Sequence, residues 1–115
     1  MSRFRLKRVY EAPSKEDGYR ILVDRLWPRG QGKDAAQLDE WNKDVAPSPA
    51  LRKWFAHQPA RFDAFSAQYR EELTAKTANL DRLREIAKTT RVTLLYAAKD
   101  EHNNHAVVLK QVLES

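Results

Sequence analysis

The chain has 115 residues, of which 42% are hydrophobic and 32% charged. These values are ordinary for one folded domain and exclude a disordered chain. The absence of cysteine excludes disulfides, a thiol nucleophile and thiolate metal ligands. The 21 lysines and arginines exceed the 16 acidic residues and give a formal net charge of +5, which favours anionic partners. No apolar run reaches the ~20 residues of a membrane helix, so we expect no membrane partner. Because the sequence has no cysteine and its start lacks the features of a signal peptide, we expect a cytoplasmic protein.

Three stretches are predicted as β-strands. Residues 4–10 alternate at first, 19–24 are apolar through their middle, and 91–98 are β-branched, aromatic and apolar on both faces. Continuously apolar strands are typical of a parallel sheet. The link between the first two strands is shorter than a parallel connection usually requires, so we expect them to be antiparallel or not adjacent. Within that link, Ser14 and Asp17 have capping-box spacing, and Gly18 can end a single helical turn.

Apolar residues at helical spacing predict several helices. Leu38, Trp41 and Val45 predict an amphipathic helix, and Ser48 and Pro49 are the residue types preferred at the start of the next one. The apolar stripe of that second helix consists of Leu51, Trp54 and Phe55. We expect both Trp41 and Trp54 in the core.

Further helices are predicted towards the end of the chain. A longer helix is predicted by the apolar residues Phe62, Phe65, Tyr69 and Leu73. It either continues or is followed by a further helix through Leu80, Leu83 and Ile86. The closing helix starts at His105 and is predicted by Ala106, Leu109, Val112 and Leu113. The order of elements predicts an α/β fold over 1–115: a single small domain with a mainly parallel sheet of few strands flanked by helices.

Two polar clusters follow predicted strands. DRLWPRG, residues 24–30, follows the second strand, and KDEHNNH, residues 99–105, follows the third and leads into the last helix. Because ligands of open α/β sheets bind beyond the carboxyl ends of the strands, we expect the two clusters to line one cavity.

The residue types in these clusters indicate an anion site. Arginine grips a phosphate or carboxylate at two points, a lysine adds a mobile charge, and a helix N-terminus favours an anion. We expect His105 and Asp24 to be catalytic, with His105 moving a proton. The expected ligand-binding residues are Arg25, Trp27, Arg29, Lys99, Asp100 and Asn104.

Each residue also has a structural interpretation. Arg25 can pair with Asp24 or a neighbouring carboxylate. Trp27 can be a core or rim residue, and either Asn103 or Asn104 can cap the last helix.

Two other functions stay open. A nucleic-acid-binding module would use the cluster of Arg3, Arg5, Lys7 and Arg8. A metal-responsive or protein-interaction domain would use His102 and His105, which stand at i, i+3, although no third ligand is identified and we commit to no metal site. The sequence contains no P-loop, dinucleotide-binding glycine motif or nucleophile elbow, so no cofactor is expected. It does not specify an oligomeric state.

Three segments carry a family likeness: KRVYEAPSKEDGYRILVDRLWPRG, LDEWNKDVAPSPALRKWFAHQPARFDAFSAQYREEL and VTLLYAAKDEHNNHAVVL. They resemble the YeaO-like branch of the domain-of-unknown-function 488 family. The resemblance implies a small cytoplasmic bacterial α/β domain and supplies no function. Relatives in the broader family often carry cysteines after the last strand and at the start of the last helix; here His105 fits that pattern and the cysteines are replaced. The leading expectation is therefore a domain that binds a small phosphate- or nucleotide-like anion. If the domain is an enzyme, we expect a hydrolase or transferase that does not use cysteine.

Overall fold

The computed structural model describes residues 3–115 and confirms the predicted α/β class. The strands are β1 (Phe4–Arg8), β2 (Tyr19–Leu22), β3 (Glu40–Trp41) and β4 (Val92–Tyr96). The helices are α1 (Lys33–Ala36), α2 (Pro49–Phe55), α3 (Phe62–Leu73), α4 (Thr77–Thr89) and α5 (His105–Glu114), with short 3₁₀ turns between them.

The four strands form one parallel sheet in the order β1-β4-β2-β3. Leu94 of the central strand β4 is in register with Leu6 of β1 and with Ile21 of β2. β1 and β2 are therefore not adjacent, which was one of the two expected arrangements. Both strands run parallel to β4, so the ten-residue link 9–18 returns the chain from the carboxyl edge of the sheet to its amino edge.

The core has two unequal parts on the two faces of the sheet. The larger part packs helices α2 to α5 on β-strand residues such as Ile21, Leu94 and Tyr96. The smaller part consists of Val9, Leu22, Ala36 and Leu95, with Trp27 and Trp41 packed against it. This second part lies under loops and the short helix α1, so the sheet is helix-covered mainly on one face.

The turn before β2 forms as predicted and buries a charged cluster. The Ser14 side chain accepts from the Glu16 N–H, and the Asp17 side chain accepts from the Ser14 N–H. Asp17 also pairs with Lys7 at 3.0 Å and with Arg20. Burial alone would raise the pKa of Asp17, but the hydrogen bonds from Ser14, Lys7 and Arg20 outweigh it and hold the pKa below its ordinary value.

Gly18 follows this turn in a conformation that only glycine adopts readily. Its φ is +65°, and a Cβ at this position would lie 2.2 Å from the backbone oxygen of Arg91. The close approach lets the Tyr19 N–H donate to that same oxygen at 2.8 Å and start β2 beside β4.

The predicted helix through Leu38, Trp41 and Val45 is wrong. Gln37 has a left-handed φ of 46° and ends α1, after which Trp41 belongs to strand β3. The Asp39 and Asn42 N–H groups donate to the Arg20 and Leu22 carbonyls of β2. Pairing the free edge of β2 therefore decides the conformation of this segment, and local apolar spacing does not report that requirement.

Trp54 is likewise not a core residue, because its side chain lies 41% exposed on α2. Its neighbours Leu51 and Phe55 are buried as expected. α2 has only seven residues, so its apolar stripe is short, and of the three predicted residues only Leu51 and Phe55 reach the core.

Candidate functional site

One cavity of about 750 Å³ lies beyond the carboxyl ends of β2 and β4. Both polar clusters line it, as the parallel arrangement of these strands predicts. Every predicted site residue is among the lining residues, which include Asp24, Arg25, Trp27, Arg29, Lys99, Asp100, Asn104 and His105.

Asp24 and His105 form a half-buried pair in the wall of this cavity. His105 Nε2 lies 3.0 Å from Asp24 Oδ1 and 3.1 Å from the carbonyl oxygen of Val23. Because both neighbours are acceptors, Nε2 carries the proton, and Nδ1 is the basic nitrogen of the neutral ring. The alignment directs the Nε2 proton to the Val23 carbonyl. Among residues 3–115, the buried Asp24 Oδ1 consequently has no well-aligned hydrogen bond.

The surroundings of this pair fix its position. Asp24 Oδ2 accepts from the Ala97 N–H at 3.1 Å, and the Asp24 carbonyl accepts from Trp41 Nε1 at 2.7 Å. The Tyr69 ring meets the His105 imidazole edge-on with centroids 6.3 Å apart. Burial raises the pKa of Tyr69 well above its ordinary range, so its hydroxyl stays protonated and donates to the Val45 carbonyl. A proton acceptor is thus held between rigid neighbours, as general-base chemistry requires.

Arg25 is anchored by backbone carbonyls and not by the carboxylate that the structural interpretation expected. Its Nε donates to Pro47 at 3.2 Å and its Nη2 to Ala46 at 3.4 Å. Nη1 has no partner in the part of the chain that the structure describes. The guanidinium is therefore oriented by one edge and keeps donors for another acceptor.

Arg29 and Lys99 are both exposed and both line the cavity. The Tyr10 hydroxyl donates to the Arg29 carbonyl at 2.8 Å, and Gly30 continues the turn with a φ of +75°. The backbone that carries Arg29 is thus held, while its side chain can move towards a ligand.

Trp27 lines the cavity as a rim residue. Its ring packs edge-on against Trp41 with centroids 5.2 Å apart, and its Nε1 donates to the Gln31 carbonyl at 2.7 Å. The indole stiffens the loop between Arg25 and Arg29.

Asp100 and Asn104 hold the loop that follows β4. Asp100 Oδ1 accepts from the His102 and Asn103 N–H groups at 2.9 Å each, and these bonds, with that of the Asn103 side chain, lower the pKa of Asp100. Asn104 caps α5, because its Oδ1 accepts from the Val107 N–H while its Nδ2 donates to the Asp100 carbonyl. Most of the hydrogen-bonding groups of both side chains are therefore used within the protein.

The structure adds cavity residues that the sequence analysis missed. They are Tyr10, Leu26, Pro28, Pro47, Arg52, Phe55, His57, Phe65, Ala97 and Ala98. Tyr10 lies two residues beyond β1, but the predicted first strand, 4–10, included it, so the rule that ligand residues follow strand ends did not select it. Arg52 and His57 carry no such signal, because a charged residue on a helix surface and a polar residue in the turn that follows a helix are both usual.

The basic cluster near the N-terminus is mostly committed to internal contacts. Arg3 donates to the Ala87 carbonyl, Lys7 pairs with Asp17, and Arg8 donates to the Ala97 and Ala98 carbonyls at 3.3 and 3.0 Å. His102 is exposed, and no group of three or more metal-binding side chains occurs among residues 3–115.

The all-parallel sheet and the cleft at its carboxyl edge define a small α/β protein with a preformed ligand-sized cavity. The chain belongs to the DUF488-N3i family, described as the inactive DUF488-N3 subclade, whose model matches residues 3–115. It is 49% identical over 109 residues to the uncharacterized protein YeaO of Escherichia coli K12, covering 95% of each chain. It is 46% identical over 112 residues to the uncharacterized protein Rv3073c of Mycobacterium tuberculosis H37Rv, covering 97% of this chain and 94% of that one.

These matches confirm the family resemblance seen in the sequence. No solved structure matches the chain. Within residues 3–115, the structure has no helix that is long and apolar enough to cross a membrane.

Proposed function

We propose that the protein binds a small, phosphate-bearing organic anion of nucleotide-like character in the cavity at the carboxyl edge of its sheet. The observation that carries this proposal is the lining of the cavity. Four cationic side chains, Arg25, Arg29, Arg52 and Lys99, face it from three separate segments of the chain, against the two carboxylates of Asp24 and Asp100.

Neither carboxylate offsets these cations fully. The Asp100 carboxylate is taken up by hydrogen bonds of its own loop, and Asp24 lies against His105. α5 begins at the cavity, so its positive dipole end adds to the same potential. Charge-assisted hydrogen bonds from arginine to phosphate are about twice as strong as neutral ones, so a phosphate matches this lining.

The rest of the wall fits an organic body attached to the phosphate. Phe55 and Phe65 stack with centroids 4.3 Å apart and line the cavity. Leu26, which is 56% exposed, and Pro47 add apolar surface. A cavity of this size suits a drug-sized molecule and not an inorganic ion alone.

Hydrolysis or group transfer on such a ligand is a second candidate function. It is favoured by the Asp24–His105 pair, whose imidazole lines the cavity; in this proposal Nδ1 takes the proton of an attacking water. The family description as an inactive subclade favours binding without turnover. Binding is therefore the primary proposal.

Calorimetric titration with AMP, phenyl phosphate and inorganic phosphate tests the site. We expect the two organic phosphates to bind more tightly than inorganic phosphate, and Arg29→Gln to weaken AMP binding by about ten-fold or more. Arg5→Gln, an exposed arginine outside the cavity, is the matched control and should bind AMP like the wild type. Equal affinity of Arg29→Gln and wild type, or no binding of any of the three, would contradict the proposal. Phenol released from phenyl phosphate in the same samples would support turnover.

A cytoplasmic location in a bacterium is part of this proposal. The bacterial sources of the two relatives support the bacterial origin.

A further inference from the structure

Residues 52–61, with the sequence RKWFAHQPAR, form a basic exposed segment beside the cavity. This 52–61 segment contains no acidic residue. It runs from the second half of α2 through the 3₁₀ turn Pro59–Arg61. Arg52, Lys53, His57 and Arg61 are all exposed on it. All four are exposed, whereas Lys7 and Arg8 of the N-terminal cluster are partly buried in internal contacts.

Trp54 provides an aromatic platform in the middle of these charges. Its side chain is 41% exposed, and the Arg61 guanidinium lies over its ring, 5.4 Å from the centroid. Arg61 Nη1 also donates to the Trp54 carbonyl at 2.6 Å, which fixes the pair. An indole and a guanidinium plane are the two kinds of surface on which unpaired bases stack in proteins that bind single strands.

The 52–61 segment is continuous with the cavity. Arg52, Phe55 and His57 line the cavity, while Lys53, Trp54 and Arg61 do not. Ala56 and His57 have left-handed φ values of 49° and 56°, so the chain turns sharply where cavity wall and outer surface meet. A ligand that occupies the cavity can thus extend onto this surface.

We infer that the 52–61 segment is a binding surface for single-stranded nucleic acid. A base stacks on Trp54, phosphates contact Lys53 and the other cations of the segment, and a terminal nucleotide enters the cavity. The last contact rests on the proposed function of the cavity, whereas the stacking and phosphate contacts do not. A duplex is a poorer partner because its bases have no free faces for Trp54.

Fluorescence anisotropy with a labelled oligothymidylate tests this surface. We expect Trp54→Ala to weaken binding by about ten-fold or more and Trp54→Phe to retain most of it, because stacking needs an aromatic ring. Lys53→Gln changes an exposed position with no role in the core. It should make the decrease of log affinity with log salt concentration shallower, by about 0.7 in slope. Thermal unfolding of each variant verifies that it is folded.

Three results would overturn the inference. They are unchanged binding by both Trp54→Ala and Lys53→Gln, a loss in Arg5→Gln as large as that in Trp54→Ala, or a duplex that binds as tightly as the single strand. AMP titration separates the two proposals. Trp54→Ala should bind AMP normally, and a Trp54→Ala loss of oligonucleotide binding together with normal AMP binding by Arg29→Gln would support this surface while contradicting the cavity.

Discussion

The cavity and the charged cluster of Lys7, Asp17 and Arg20 are built from the same residue types but differ in how far their polar groups are satisfied. In the cluster, the Asp17 carboxylate receives Lys7, Arg20 and the Ser14 N–H, and Thr93 donates to the Asp17 carbonyl at 2.6 Å. In the cavity, arginine donors and an aspartate oxygen keep unused capacity. A closed network supports the fold, whereas an open one can bind.

The largest effect is expected when a carboxylate of the closed network is removed, and it is an effect on stability. Asp17→Asn leaves the Arg20 guanidinium buried without its carboxylate, and we expect a loss of about 3–5 kcal/mol in the free energy of unfolding, measured by chemical denaturation. Asp24→Asn should cost less than about 2 kcal/mol, since an amide oxygen can still accept from the Ala97 N–H. Equal losses in both variants would contradict the distinction.

Asp17 also gives the stability of the wild type a pH dependence of defined sign. The folded pKa of Asp17 lies below its unfolded value of about 3.9, so its stabilisation is fully present above that unfolded pKa and is lost as the pH falls below it and through the folded pKa. Unfolding measured across this range should therefore show a shallower acid-side loss in Asp17→Asn than in wild type.

A second contrast concerns the glycine beside each region. Gly18→Ala places a Cβ against the Arg91 backbone oxygen at a positive φ, and we expect a loss of about 2–4 kcal/mol. At Gly30, in the cavity loop, no described atom lies within 4 Å of such a Cβ, so Gly30→Ala should cost only the strain of its backbone, about 1–2 kcal/mol. Thermal unfolding of the pair measures the difference. A Gly30 variant as unstable as the Gly18 variant would be inconsistent with it.

The smallest expected effect sharpens the account of the cavity. Tyr10→Phe removes only the hydrogen bond to the Arg29 carbonyl, an exposed contact worth about 0.5–1.5 kcal/mol. We expect little change in the unfolding midpoint and a several-fold weaker binding of AMP, because the Arg29 loop loses its tether. Tyr19→Phe, which removes a hydroxyl bonded to Glu40 away from the cavity, is the matched control and should leave AMP affinity unchanged.

Much of the fold was predictable because its signals are local or follow from strand direction. The capping box of Ser14 and Asp17 is fixed by a spacing of three residues. The meeting of 24–30 and 99–105 at one cavity follows from two parallel strands whose carboxyl ends share an edge. Neither rule needs knowledge of individual side-chain contacts.

The remaining features depend on partners elsewhere in the chain. Trp41 pairs with β2 because that strand's edge needs hydrogen bonds. Arg8, counted among basic surface residues, instead donates to carbonyls that follow β4. Arg52 reaches the cavity only because α2 crosses its rim. Local apolar spacing or net charge carries none of this information.

The two-residue strand β3 has a consequence for self-association. It terminates one side of the sheet with Glu40 and Trp41, and Lys43 lies over the Trp41 ring, 4.1 Å from its centroid, while Arg82 pairs with Glu40. An edge strand this short and charged offers too few backbone N–H and C=O groups for another chain to pair with. The sheet is thereby protected on that side against the edge-to-edge growth that leads to fibres.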